Sequence, residues 1–262
     1  NGKMEKGKIV YIGNFSFPLG NASGKRVYAN GKIFRELGYE VIFIGVDKDV
    51  GFTTKIENTK NVYDDFEYYN LPYPQSGKQW FKYSYIFKVV RSFFQNKLEL
   101  KKSDIVILYG SPTLSTFNTK LIKFCKKHKI ATISDCVDWL ASKTNNPVFN
   151  IIKWVDNTYQ KAYANKKTDG VVTISRFLSD YYEKSGCKTV IIPPLSPIKY
   201  SKDDFILNSD KKIKICYAGL PFRKGMEIKD PKTLKDRIDL TIDLFLHAKE
   251  NGCDFVFNIF GF

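Results

Sequence analysis

The sequence predicts an α/β fold: a parallel-sheet domain, an irregular linker, and the opening βαβ unit of a second parallel-sheet domain. Three observations predict it. Short β-branched apolar runs alternate with segments of helical period, the pattern of parallel strands joined by crossover helices. Several strands end in small residues, at Gly13, Gly110, Ser175 and Gly219. The scheme halts at Pro193, Pro194 and Pro197 and then restarts. This places a first domain at residues 4–195, a linker at 196–210, and the start of a second domain at 211–262.

The opening stretch is read first. Lys8 to Gly13 (KIVYIG) is an apolar run too short for a helix, and it meets a loop carrying Pro18, Gly20 and Gly24. Val27, Ala29, Ile33, Phe34 and Leu37 then recur at helical spacing up to Gly38, and Val41 to Ile44 is the next strand. In a βαβ unit the first loop faces the ligand crevice, and the following helix opens with unpaired N–H groups and a partial positive charge. Residues 20–24 are therefore candidates for approaching a phosphate or a sugar. A merely connecting turn is the competing reading. The spacing of Gly13, Gly20 and Gly24 does not make GxGxxG, so an NAD site loses its main support.

Residues 46–80 read as polar and irregular, with one short strand within VYDDFEYYNLPYP. From Trp80 to Lys102 a helix is predicted. Tyr83, Phe87, Val90, Phe94 and Leu98 form its stripe, Ile86, Val89 and Phe93 widen it, and Lys82, Lys88 and Arg91 flank it. Such a face suits a core helix with snorkelling lysines or a helix lying on a membrane. Asp104–Tyr109 is a buried strand, 114–129 a helix, and Ile130–Ser134 a strand that delivers Asp135 and Asp138 just past its carboxyl end. Carboxylates there are candidates for binding sugar hydroxyls or acting as a base, and equally for a helix N-cap or a turn.

A helix follows at 147–165, then a strand at Gly170–Ile174 ending in Ser175, the helix RFLSDYYEKSG, and a short strand at Thr189–Ile192. After the prolines come a strand at Lys212–Ala218, a helix at 232–250 and a strand at Asp254–Ile259. This last unit, of about 50 residues, falls short of an α/β domain, so the chain is expected to stop inside it.

Composition narrows the function classes. The 262 residues are 43% hydrophobic and 15% aromatic, as in a packed globular protein. The net charge of +15 suits a polyanionic neighbour, and also suits a lysine-coated surface without further meaning. Five scattered cysteines without a CxxC pair read as reduced cytoplasmic thiols, and two histidines are too few for a recognisable His/Cys metal cluster. No apolar run approaches the ~18 residues that would span a bilayer.

Taken in order, PLGNASGKRVY, SDCVDW, DGVVTISRFLSDYYEKSGCKTVIIPP and ICYAGLPFRKG resemble the family 4 glycosyltransferases of the GT-B fold. The resemblance implies two Rossmann-like domains, the first holding the acceptor and the second the nucleotide-sugar donor. It further implies transfer with retention of configuration and without a metal or other cofactor. It assigns donor and acceptor contacts to Gly20, Asn21, Ala22, Ser23, Gly24 and Ser175, and the donor diphosphate to Arg223 and Lys224. Two departures stand out. Many members carry a histidine near the position of Val137, and the paired-glutamate donor motif would lie past residue 262. The 262-residue chain is thus expected to show little or no transferase activity by itself. The acceptor is expected to be a saccharide or a lipid-linked one in polysaccharide synthesis, at the inner membrane face, with no nucleic-acid partner. The competing readings are a nucleotide-sugar 2-epimerase, against which the scarcity of histidine argues, and a non-catalytic phosphosugar or nucleotide module.

Overall fold

The computed structural model describes residues 6–110, 115–138, 147–195, 213–219 and 237–260. The chain divides into two compact units, residues 1–199 and 200–262. The first unit runs β1 (Lys8–Gly13), α1 (Ala22–Glu36), β2 (Glu40–Asp47), β3 (Asn61–Tyr63), β4 (Phe66–Pro72), α2 (Gly77–Asn96) and β5 (Ile105–Tyr109). It continues through α3 (Ser115–Lys127), β6 (Ala131–Cys136), α4 (Pro147–Tyr159), β7 (Gly170–Thr173), α5 (Arg176–Glu183) and β8 (Thr189–Ile191). Its eight strands form one sheet in the order β3-β4-β2-β1-β5-β6-β7-β8. Every pairing is parallel except that of β3 with β4.

β1 lies inside the sheet because it is apolar on both faces, as a doubly covered parallel strand must be. Ile9 pairs in register with Val41 on one side and Ile105 on the other. Val10 and Ile12 point into the layer beneath α2 and α3, where Tyr83, Val90, Phe94 and Leu121 are buried. Tyr11 points the opposite way, into a layer with Val27 of α1, Phe15, Phe17 and Phe43. The Phe17 and Phe43 rings stack there at 4.2 Å between centroids. Crossovers that leave β1 in one direction and reach β5 in the other place a topological switch, and hence a crevice, at the carboxyl ends of these two strands.

Several sequence expectations need correcting. The α2 stripe of Tyr83, Ile86, Val90, Phe93, Phe94 and Leu98 is buried in the core, so that face cannot also lie on a membrane. α1 starts at Ala22 and buries Gly24, Arg26, Val27 and Asn30, whereas Ile33 and Leu37, expected on its apolar face, are exposed. The stretch read as irregular holds a hairpin, whose turn places Asp64 and Asp65 both at positive φ. Two consecutive left-handed residues fit a two-residue hairpin turn, and Asp is among the residues that tolerate this backbone. β6 runs two residues further than expected, which puts Asp135 inside the strand, opposite Tyr109. α4 ends at Tyr159 and passes through a π-helical turn, Gln160–Ala164, into a short 3₁₀ turn, Asn165–Lys167.

The second unit comprises β9 (Ile213–Ala218), α6 (Ile238–Glu250) and β10 (Phe255–Phe260), with the two strands parallel and Ile213 opposite Phe255. No helix among the described residues is long and apolar enough to cross a membrane.

Candidate functional site

A cavity of about 150 Å³ opens at the carboxyl ends of β1, β5 and β6. Asn14 follows β1 into it, Ser23 enters from the first turn of α1, and Tyr109 with Gly110 closes the end of β5. The end of β6 contributes Ser134 to Asp138, and the run from Asn157 to Asn165 supplies the far wall.

The glycine loop reaches this cavity through one residue. Asn21 caps α1, its Oδ1 accepting from the Gly24 amide at 2.7 Å. That amide is used internally. The first-turn amides of Ala22 and Ser23 have no acceptor within the helix. Gly20, Asn21 and Ala22 are exposed, and Ser23 is the member of the loop that lines the cavity. Gly24 is glycine for a local reason: a Cβ there would collide with the Ser16 carbonyl on which the helix start packs. Its close approach is therefore to the chain's own backbone.

Asp135 sits at the centre of a buried ionic network. It is 1% exposed and accepts from Arg26 Nη2 at 2.9 Å and Nε at 3.3 Å, and from the Tyr11 hydroxyl. Asn30 Nδ2 donates to the Tyr11 oxygen at 3.1 Å. Arg26 Nη1 donates to the carbonyls of Ile192 at 3.0 Å and Pro193 at 3.3 Å, just after β8. Burial opposes the guanidinium charge, but the hydrogen bonds and attraction of Asp135 outweigh it and hold Arg26 above its ordinary value. Burial, reinforced by the Asp135 charge, pushes the Tyr11 hydroxyl far up, so it stays a donor. Asp135 thus has its oxygens committed, and Arg26 joins the glycine-loop helix both to β6 and to the segment after β8. No sequence signal marked Arg26, an arginine one residue before an apolar helical stripe.

Asp138, by contrast, is exposed at the cavity rim. Tyr109 is pushed up by burial, partly offset by a hydrogen bond from Ser23. The far wall is an amide network. Asn165 Oδ1 accepts from Ser134 Oγ at 2.9 Å and Gln160 Nε2 at 2.6 Å, and its Nδ2 donates to the Tyr182 hydroxyl at 2.8 Å. Asn118 Nδ2 donates to the Gly110 carbonyl and to Gln160 Oε1, both at 3.2 Å. The π-helical turn inserts one residue into the helical repeat and brings Gln160, Lys161 and Asn165 to the cavity together, a common use of such turns. Sequence reasoning missed these residues, since isolated Asn and Gln in a helical segment carry no spacing signature.

Ser175 caps α5 rather than lining the cavity, its Oγ accepting from the Leu178 amide at 3.5 Å. Arg223 and Lys224 lie outside the described residues. Among the described residues, no three His, Cys, Asp or Glu side chains converge as metal ligands. The five cysteines are unpaired thiols.

No protein-family model matches this sequence, and no curated protein does. Solved structures do. The catalytic domain of starch synthase IV from Arabidopsis thaliana, bound to ADP and acarbose, is similar at a TM-score of 0.52 and 11% identity, over 96% of this chain and 68% of that one. An α,α-trehalose-phosphate synthase (UDP-forming) from Burkholderia vietnamiensis gives 0.47 and 10%, over 72% of this chain and 49% of that one. UGT89C1 of Arabidopsis thaliana, complexed with UDP, gives 0.46 and 14%, over 82% and 58%. The chain spans about half to two thirds of the length of these structures. At such identities the likeness speaks to architecture alone. That architecture is a GT-B-like fold, of which the first unit here is a Rossmann-like half.

Proposed function

We propose that this chain is the acceptor-side domain, with the opening βαβ of the donor side, of a retaining glycosyltransferase. The enzyme would move a sugar from a nucleotide-sugar donor to a saccharide or lipid-linked acceptor in cell-surface polysaccharide synthesis. The observation that carries this reading is a cavity at the switch point of a GT-B-like sheet whose lining includes Asn14, Ser23 and Asp138, side chains that suit sugar hydroxyls. Its volume of about 150 Å³ is below the roughly 300–1,000 Å³ of pockets that enclose a whole small molecule, so it has room for a sugar-sized group at most.

In the proposed division of labour, Ser23 orients the acceptor, Asp138 at the rim receives one of its hydroxyls, and the bonded pair of Gln160 and Asn165 holds the far wall in place as positioning residues. Asp135 acts through Arg26 as a positioning residue. Gly20, Asn21 and Ala22 face incoming ligand across the open side of the loop. Transfer breaks the bond from the sugar C1 to the diphosphate oxygen and forms one to an acceptor oxygen, whose proton passes to the leaving diphosphate. Negative charge grows on that diphosphate, and Arg223 and Lys224 would neutralise it. The reading needs no metal ion and no organic cofactor. A cytoplasmic site at an anionic membrane face is the final part of the proposal, supported by Phe81, Tyr85 and Val89. These lie exposed on α2 among Lys78, Lys82, Lys88 and Arg91.

The test is an amide NMR titration of the 262-residue chain with neutral oligosaccharides, and separately with UDP-, ADP- and GDP-sugars. Shifts centred on Ser23, Gly110 and Asp138, abolished by Ser23→Phe, are expected from an acceptor saccharide. Saccharide shifts that map elsewhere, or survive Ser23→Phe, would refute the assignment. A second reading, a non-catalytic phosphosugar or nucleotide module, is favoured by one observation: both oxygens of Asp135 are committed to Arg26 and Tyr11 and cannot serve as a base.

A further inference from the structure

The outer surface of α2 and α3 carries a second concavity, of about 300 Å³, that shares no lining residue with the sheet-end cavity. Its floor is aromatic: Phe124 is buried, Phe87 is half-buried, and the His128 ring lies 4.5 Å from the Phe124 ring. Its rim is cationic. Lys120, Lys123 and Lys127 follow one another at i, i+3 and i+7 on α3, hence on one face, and Arg91 faces them from α2.

This placement is unfavourable for the folded chain alone. Like charges three and four residues apart destabilise a helix, and neither α2 nor α3 contains an aspartate or glutamate to offset them. Among the described residues none of the four cations has a carboxylate within ion-pair distance, and Arg91 Nε donates to the neutral Gln95 at 3.2 Å. One carboxylate, Glu99, lines an adjoining hollow that shares Phe124 and His128. Four cations converging on an aromatic floor make a site that a multiply charged anion would complete, with charge-assisted hydrogen bonds replacing mutual repulsion.

We propose that the groove between α2 and α3 binds a phosphate-bearing ligand through Arg91, Lys120, Lys123 and Lys127. No residue of the groove lines the cavity, so the proposal stands apart from the proposed transfer chemistry and shares only Arg91 with the proposed membrane face.

The experiment uses the 262-residue chain with two probes: pyrophosphate, by calorimetry, and phosphatidylcholine vesicles with or without phosphatidic acid, by co-sedimentation. Two variants remove equal charge, Lys120→Ala/Lys123→Ala/Lys127→Ala in the groove and Lys102→Ala/Lys126→Ala/Lys129→Ala outside it. Their melting curves establish that both are folded. The groove variant is expected to weaken binding about tenfold or more, and the control variant by less than about threefold. Pyrophosphate binding lost in the groove variant assigns a soluble phosphorylated ligand. Loss confined to the phosphatidic-acid vesicles assigns a lipid headgroup, and either result supports the site. Binding of neither probe, or equal weakening by the two variants, overturns it.

Discussion

At the residue scale the decisive group is Arg26, which meets Asp135 from α1 and the carbonyls of Ile192 and Pro193 from the far end of the first unit. Breaking a buried ion pair from one side leaves the other charge uncompensated, at a cost of about 3–5 kcal/mol. Arg26→Met is therefore expected to lower the unfolding free energy by about that amount in urea titrations, and Arg26→Met/Asp135→Asn to recover part of it, because the stranded charge is then absent. A loss under about 1 kcal/mol for the single variant would show that the pair is water-screened. Glu67 offers a pH test of the same kind. Burial opposes its ionisation, but hydrogen bonds from Lys60 and Tyr69 and the charges of Lys60 and Lys97 hold its carboxyl below the ordinary value of 4.5. A depressed folded value means that the unfolded chain binds more protons in acid. The contribution of Glu67 is thus complete above pH 4.5 and fades as pH falls through its folded value. Glu67→Gln should flatten the pH dependence of the melting temperature below about pH 4.5 and leave its slope unchanged near neutrality. An unchanged acid slope would exclude this linkage.

At the element scale, α2 shows both what the sequence could reveal and where it fell silent. Helical period marked the stripe from Tyr83 to Leu98, and period alone cannot say whether such a stripe meets a core or a bilayer. The sheet decides it, because Val10, Ile44 and Val106 need a cover and the stripe supplies one. Phe94→Ala should then cost about 3–5 kcal/mol, as deletion of a buried aromatic does, while Tyr85→Ala, at a position 69% exposed, should change stability by less than about 0.5 kcal/mol. Denaturant titration of the two variants checks the assignment of faces, and comparable losses would mean the helix is turned. Strand positions were legible throughout the parallel sheet, since buried strands read as continuous apolar runs. The β3–β4 hairpin was not. Its turn is Asp64-Asp65 rather than a glycine pair, and β3 exposes all three of its residues. The candidate site was legible in half. Strand ends pointed to Ser23, Asp135 and Asp138, but the roles of Arg26, Gln160 and Asn165 depend on a π-helical turn and on partners more than 100 residues away in the chain, which no local pattern encodes.

At the scale of the whole molecule, the first unit has its own cores and its own closing bonds at the edge of its sheet. β8 pairs with β7 through Val171 and Thr189, and the Ile192 amide donates to the Thr173 carbonyl at 2.8 Å. Arg26 then fixes the carbonyls of Ile192 and Pro193. Among the described residues the bonds that secure this edge run as far as Pro193, so a chain ended at residue 195 keeps each of these contacts, and one ended at residue 188 keeps only the bond from the Val171 amide to the Lys188 carbonyl. The 195-residue chain is expected to unfold in a single cooperative transition. The 188-residue chain loses an edge strand and two hydrogen bonds from a charged donor, each worth about 1.5–3 kcal/mol. For a domain of this size about 1 kcal/mol moves the melting temperature by 2–4 °C, so the shorter chain should melt at least about 6 °C lower. The deficit should also track Arg26: Arg26→Met should destabilise the 195-residue chain strongly and the 188-residue chain less, because part of what the guanidinium holds has been removed. Calorimetric scans of the four proteins measure that coupling. Equal melting temperatures for the two lengths would mean that the segment after β8 lies outside the cooperative unit, and that Arg26 serves Asp135 alone.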